Sequence, residues 1–124
     1  MQKYSVKEIF QILKELEDLS GRIKVVLEKE GKFSLDDITI VAKLYKERAP
    51  LLEILGEWRR TEEAVGFINI NQEEWDKKIA KLDKTDKINI EKMNVRIENL
   101  GNEIRELMKQ QSVLVYLEEG SHEY

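Results

Sequence analysis

The stretch that decides the fold is residues 75–114, WDKKIAKLDKTDKINIEKMNVRIENLGNEIRELMKQQSVL. Within it, one set of residues recurs at steps of three and four, and all of the set except Asp86 and Gln111 are apolar. The members of this seam are Trp75, Ile79, Leu82, Asp86, Ile90, Met93, Ile97, Leu100, Ile104, Leu107, Gln111 and Leu114. Such spacing predicts a single helix from 72 to about 118, which at 1.5 Å per residue is roughly 70 Å long. A helix of that length must project from its bundle, bend back, or pair with a second chain.

Two further helices are predicted upstream by their start and stop signals. Ser5 with Glu8 three residues later has the form of a capping box and starts the first helix. Gly31 is expected to stop it, because glycine adopts the left-handed cap conformation without steric penalty. Ser34 starts a second helix, with acidic residues in its first turn. We expect that helix to run through Pro50 with a kink.

These elements predict an all-α protein with little or no strand. We expect one helical domain over 1–124, an elongated antiparallel bundle of about three long helices with the third the longest. Residues 119–124 are expected to form a tail. The segment 59–71 carries the weakest pattern and is interpreted as a loop on the bundle end or a short extended piece.

Composition excludes several classes of protein. The 124 residues include no cysteine, so disulfides and cysteine-ligated zinc are excluded. No stretch approaches the roughly 18 apolar residues of a membrane span, and we expect a cytoplasmic protein. The lysines at 77, 78, 81, 84 and 87 are interleaved with acids, and the net charge is −4. This pattern indicates a solvated helix face rather than a nucleic-acid interface.

The sequence contains little from which a catalytic or metal site could be built. Its one histidine, His122, falls in the predicted tail and has no second histidine to join it as a ligand. No glycine-rich phosphate loop occurs, and adjacent acids point to different helix faces. We therefore expect no enzyme activity, no metal and no cofactor.

Two polar residues interrupt the long seam. Asp86 and Gln111 occupy positions where apolar side chains would pack better. One interpretation is that the helix emerges into solvent at both points. The other is that buried polar residues select register or partner, as they do in coiled coils. We favour the first.

The apolar run from Val113 to Leu117 is too wide for one face of an amphipathic helix. Either the bundle covers it on several sides, which we slightly favour, or part of it is exposed for a partner. If a partner binds here, the apolar residues at the end of the third helix form the site. The predicted partner-binding residues are Ile104, Leu107, Met108, Leu114, Tyr116 and Leu117.

Three local patterns, in this order, are similar to a known family. The first helix closes on Gly31-Lys32-Phe33, and the second carries Glu47-Arg48 followed by Leu51-Leu52-Glu53. The third carries Ile79-Ala80-Lys81-Leu82-Asp83 and ends on a run closing at Tyr116. Together they resemble FliT-type flagellar export chaperones over nearly the whole chain.

The resemblance implies a small cytoplasmic chaperone that binds a flagellar secretion substrate, chiefly the filament cap protein, keeps it unassembled and passes it to the export apparatus. Binding would place an amphipathic helix of the substrate against the apolar seams. One alternative is a FlgN-like chaperone of hook–filament junction proteins. A second is a structural coiled-coil homodimer, in which Asp86 and Gln111 set the register.

Overall fold

Every secondary-structure element of the described residues is an α-helix. The computed structural model describes residues 4–96, 98 and 102–121, with side chains for 4–96, 98 and 105–117. The elements are α1 (Val6–Leu27), α2 (Leu35–Arg59), α3 (Glu62–Ile70), α4 (Gln72–Arg96), α5 (Asn102–Gln110) and α6 (Val113–Ser121). The all-α prediction is confirmed. Three helices have 22 to 25 residues and three have nine, and α4 equals α2 in length.

The predicted helix starts are confirmed at α1 and α2. The Ser5 hydroxyl accepts from the Glu8 N–H, and the Ser34 hydroxyl accepts from the Asp37 N–H. Each N3 carboxylate accepts in return from the cap residue's N–H, which completes two capping boxes. The first helix ends before the predicted stop at Gly31. α1 ends at Leu27, and Gly31, with φ 90°, makes a turn in the loop that follows. α2 continues through Pro50, as expected.

The segment interpreted as a loop or an extended piece is the helix α3. Thr61 caps it, with its hydroxyl accepting from the Ala64 N–H at 3.1 Å. Ala64 and Ile68, one turn apart, are buried against the core, while Val65 and Ile70 are exposed. The β-branched and aromatic residues of this segment favour a strand, but the Thr61 cap and the burial of one helical face stabilise a helix instead.

The single helix predicted over 72–118 is wrong. α4 ends at Arg96, and a second break at Gln111 and Ser112 separates α5 from α6. The chain folds back so that the seam is buried against its own bundle instead of extending into solvent. Residues 119–121, expected as tail, are the last turn of α6. The seam positions Ile97 and Leu100, and the tail residues 122–124 with His122, lie outside the described residues.

The helices form a bundle in which successive long segments run in opposite directions. Charged pairs Lys81–Glu17 and Lys92–Glu28 place α4 parallel to α1. The segment α5–α6 returns antiparallel to α4, because Met108 packs near Met93 while Leu117 packs near Trp75. The bundle therefore has four legs, and the fourth is the broken segment α5–α6.

Two hydrophobic clusters lie one above the other along the bundle. The buried residues of the lower cluster are Ile9, Ile12, Leu13, Leu16, Leu52, Leu55, Trp58, Ala64, Ile68, Trp75, Leu82, Val113 and Leu117. Its aromatic rings, Trp58, Trp75, Phe10 and Phe67, contact one another. The upper cluster contains Leu19, Ile23, Leu27, Val41, Leu44, Tyr45, Met93 and Met108. All four legs contribute to both.

Arg96, the last residue of α4, closes the link between α1 and α2. Its guanidinium donates to the carbonyls of Leu27 at 3.1 Å and Gly31 at 3.0 Å, and also to that of Lys29. It also lies 5.5 Å from the centre of the Phe33 ring. The Arg96 side chain thus supplies donors to carbonyls at and just after the end of α1, which lack partners within the helix. Its positive charge also interacts favourably with the negative, C-terminal end of the α1 dipole.

Replacing Arg96 with lysine should destabilise the bundle by about 1–3 kcal/mol. The planar guanidinium of arginine donates to three carbonyls at once, whereas the compact ammonium group of lysine cannot reach all three. Urea unfolding measures the loss, and faster amide exchange at 28–33 should accompany it. Arg22→Lys on the exposed face of α1 is the matched control. Equal stability of the two variants would contradict the role given to Arg96.

Candidate functional site

A layer of buried polar side chains separates the two hydrophobic clusters. Every leg of the bundle contributes to it, at the height where the lower cluster ends and the upper one begins. Its members are Ser20 on α1, Arg48 on α2, Asp86 and Asn89 on α4, and Gln111 between α5 and α6. Arg48 is 1% exposed, Asp86 2% and Gln111 4%. Charged residues are almost never buried to this extent unless they are paired.

An ion pair between α2 and α4 forms the centre of this layer. Arg48 Nη2 lies 3.0 Å from Asp86 Oδ1 and 3.2 Å from Oδ2. The guanidinium also lies 5.4 Å from the centre of the buried Tyr45 ring. Because both charges are removed from water, the pair's attraction competes with a desolvation cost of several kcal/mol per ion.

The Asp86 carboxylate also receives the start of α6. The Val113 N–H, the first of that helix, donates to Asp86 Oδ2 at 3.2 Å. This N–H has no partner within its own helix, and the positive end of the α6 dipole favours a carboxylate there. Asp86 therefore caps α6 from another helix, and the break at Gln111 and Ser112 makes that contact possible.

Ser20 and Asn89 connect the layer to α1. The Ser20 hydroxyl donates to Asp86 Oδ1 at 3.5 Å, and Asn89 Nδ2 donates to the Ser20 carbonyl at 3.1 Å. Three buried side-chain atoms of this layer, Arg48 Nε, Asn89 Oδ1 and Gln111 Oε1, have no hydrogen-bond partner among the described residues. Such groups carry an energetic cost that an ordinary hydrophobic core does not.

Burial raises the pKa of the Asp86 carboxyl above its ordinary value of 3.8, because desolvation penalises the charged form. The Arg48 guanidinium and the Val113 N–H oppose the rise, and Asp83 adds to it. Burial likewise raises the pKa of the Tyr45 hydroxyl. The layer thus holds its charge in an environment that disfavours charge.

The interpretation of Asp86 and Gln111 as points where a helix meets solvent is wrong. Both are buried, because the chain reverses between them and brings α5–α6 back against α4. The interpretation that we did not favour, a buried polar position that fixes register, agrees with the observed burial. Ser20 and Asn89 were not singled out from the sequence, and Arg48 was named only in the family resemblance, not as a buried partner of Asp86. Arg48 was the one with a signal, since a cation interrupts the apolar face of α2.

The predicted partner-binding residues line the inner and outer sides of α5–α6. Met108 and Leu117 are buried in the upper and lower clusters, so in this structure they are core and not exposed surface. Leu107, Leu114 and Tyr116 are half-buried along the same segment. The side chain of Ile104 lies outside the described residues. The apolar run from Val113 to Leu117 is thus largely covered by its own bundle.

Among the described residues, no group of three or more His, Asp or Glu side chains is arranged to hold a metal ion. Within the same part of the chain, no helix combines the length and apolar character that a membrane crossing requires. Comparison with known proteins returns no match of the chain to a family model, a curated protein or a solved structure. Function is therefore inferred from the chain's own residues.

A double-mutant cycle should reveal strong coupling between Arg48 and Asp86. Asp86→Leu or Arg48→Met alone leaves an unpaired buried charge and should cost about 3–5 kcal/mol. The double variant should cost much less than the sum, retaining a loss of about 1–3 kcal/mol from the unpaired Val113 N–H. Urea unfolding measures each term. The exposed pair Glu73 and Lys77 is the control and should not couple measurably; additive losses at Arg48 and Asp86 would refute the pairing.

The pH dependence of stability should have opposite signs at two carboxylates. The raised pKa of Asp86 means that the folded state binds its proton more tightly than the unfolded state does. Its contribution is therefore fully present below 3.8 and is lost as pH rises through the folded pKa. The unfolding free energy of the parent minus that of Asp86→Asn should fall over this window in urea titrations.

Asp37 supplies the internal comparison. Its pKa is lowered because the Ser34 N–H, the Ser34 hydroxyl and Lys29 all stabilise the carboxylate. Its contribution is present above the unfolded value and is lost as pH falls through the folded pKa. The parent minus Asp37→Asn difference should therefore shrink toward acid. Two differences with the same slope would contradict this assignment.

Proposed function

We propose that this chain is a flagellar type III export chaperone, which binds a secretion substrate, the filament cap protein, and keeps it unassembled before export. It would act in the cytoplasm through binding alone, by holding an apolar helix of the substrate that would otherwise drive assembly. The observation that carries the proposal is the docking of a helical segment, α5–α6, by its apolar face between α2 and α4. Helix-in-groove binding of this kind is a common mode of peptide recognition.

The groove that holds α5–α6 has the dimensions and lining for a helix. Met108 reaches the upper cluster, while Val113 and Leu117 reach the lower one. On the α2 side, Gly56 lies beside α6, and a methyl group there would be in ordinary van der Waals contact with the Tyr116 carbonyl oxygen, at 3.8 Å. Each of the two helices has nine residues, which is shorter than an isolated helix needs for stability in water. Their helicity therefore depends on docking, and a substrate helix could use the same surfaces.

Several residues that carry the family resemblance take part in contacts that hold the bundle together, which supports the proposal. Gly31 and Phe33 form the link that Arg96 holds. Arg48 is the buried cation of the polar layer, and Leu52 packs in the lower cluster. Tyr116 packs against the same cluster from α6.

A FlgN-like chaperone of hook–filament junction proteins remains the alternative within the same class. The structural coiled-coil homodimer loses its basis, which was an uninterrupted helix over 72–118, because α4 ends at Arg96. Pull-down of the purified cap protein and of the junction proteins separates the two chaperones. Mass spectrometry of proteins that co-purify from the native host should identify the cap protein. If it identifies junction proteins alone, the chain is the FlgN-like chaperone instead.

Truncating the half-buried edge of α6 should weaken substrate binding more than stability. Leu114→Ala combined with Tyr116→Ala should reduce affinity for the cap protein at least tenfold, about 1.4 kcal/mol, because α6, once displaced from the groove, would pack these two large side chains against the bound substrate helix. The melting temperature should fall only modestly. Isothermal titration calorimetry and thermal unfolding measure the two effects.

The matched control for this pair removes apolar surface elsewhere. Val25 on α1 and Val95 on α4 are 71% and 80% exposed, and their alanine variants should bind normally. If the Leu114 and Tyr116 variant unfolds outright, or binds normally while folded, those residues belong to the core and not to the interface.

A further inference from the structure

The groove filled by α5–α6 is apolar at both ends and charged in the middle. Met108 occupies its upper part and Leu117 its lower part. Between them, Asp86 Oδ2 faces the segment and accepts the Val113 N–H at 3.2 Å. Arg48, on the opposite wall, holds the same carboxylate. Any helix that fills the groove must cover this charge.

An uninterrupted apolar helix in the groove would bury the Asp86 carboxylate without donating a hydrogen bond to it. The backbone N–H groups inside such a helix are already bonded to carbonyls one turn earlier, so they are not free to donate. Its side chains would bring no donor either. The Asp86 carboxylate would then lose a partner while it remained buried, which is costly for a charged group. α5–α6 avoids this cost because its break exposes the first N–H of α6 to the carboxylate.

We infer that the groove selects, among protein partners, a helical segment that places a hydrogen-bond donor opposite Asp86 between two apolar stretches. The donor is either the open N–H of a broken helix, as in α6, or a side chain such as glutamine or asparagine. The inference rests on the proposed function, since it assumes that a partner helix takes the place of α5–α6. Sites that bury a polar group discriminate strongly against ligands lacking its partner.

The spacing that such a partner needs can be taken from α5–α6 itself. Met108 lies five residues before the donor at 113, and Leu117 lies four residues after it. Gln111, buried at the same height, leaves Oε1 without a partner among the described residues. The fit of this segment is therefore incomplete at its centre, which leaves room for a partner with a better-placed polar group to bind more tightly.

The test uses the full-length chain with its groove opened. Val113→Asp places a second carboxylate beside Asp86 and should release α6; Leu117→Asp opens the groove from its lower end and serves as a second bait. Amide exchange over α1, α2 and α4 verifies that each bait is folded. The probes are two synthetic amphipathic helices of about 20 residues, identical except for glutamine or leucine at the centre of the apolar face.

Fluorescence anisotropy should give at least tenfold tighter binding of the glutamine helix to the opened chains. Adding Arg48→Met and Asp86→Leu to the bait should abolish or reverse this preference, since the centre of the groove is then apolar. A synthetic peptide of residues 102–121 should bind the polar bait and not the apolar one.

Equal affinity for the two designed helices, or preference for leucine by the polar bait, would overturn the inference. So would binding of no helix by both folded baits, or dimerisation of the opened chain, which would assign the groove to a second copy. Cap-protein binding is measured separately. If the glutamine preference holds and the cap protein does not bind, the proposed function fails alone; if the cap protein binds and no preference exists, the inference fails alone.

Discussion

The Asp86 carboxylate is the interaction on which the arrangement of the helices depends. It meets Arg48 of α2, the Ser20 hydroxyl of α1 and the first N–H of α6. One side chain of α4 therefore contacts the other three legs of the bundle. Hydrophobic burial supplies most of the free energy of folding, but it is non-directional and tolerates many ways of packing apolar faces. A buried carboxylate with specific partners does not tolerate them, because any shift in register leaves a charge unpaired.

This constraint explains why the fourth leg is broken. A continuous helix over α5–α6 would have no open N–H at the height of Asp86, and Arg48 would be the carboxylate's main partner. The break at Gln111 and Ser112 costs hydrogen bonds within the helix, but it frees the Val113 N–H to donate to the buried Asp86 carboxylate. The same geometry divides the core into an upper and a lower cluster, each closed by one half of the fourth leg. Docking of α5–α6 and integrity of the polar layer are thus one structural event.

The parts of the fold that depend on local chemistry could be predicted from the sequence, and those that depend on contacts distant along the chain could not. The helix starts at Ser5 and Ser34 depend on residues three positions apart, and both predicted starts are confirmed. The seam from Trp75 predicted helix correctly, but a three-and-four period is the same whether a helix is continuous or folds back on itself. Asp86 was interpreted as exposed because its partner Arg48 lies on another helix and its other partner is a backbone N–H. The edge of α6 was identified as important, while its burial depended on the reversal after α4.

The reversal can be tested directly by an NMR measurement of proximity between Val113 and Asp86. If α4 continued through α6 as one helix, these residues, 27 positions apart, would be separated by about 40 Å. In the folded-back bundle the amide nitrogen of Val113 lies 3.2 Å from the Asp86 carboxylate. We predict a nuclear Overhauser effect between the Val113 amide proton and the Asp86 β-protons, with slow exchange of that amide. Absence of the Overhauser effect, together with rapid exchange at Val113 in a chain whose α1 and α4 amides are protected, would contradict the account.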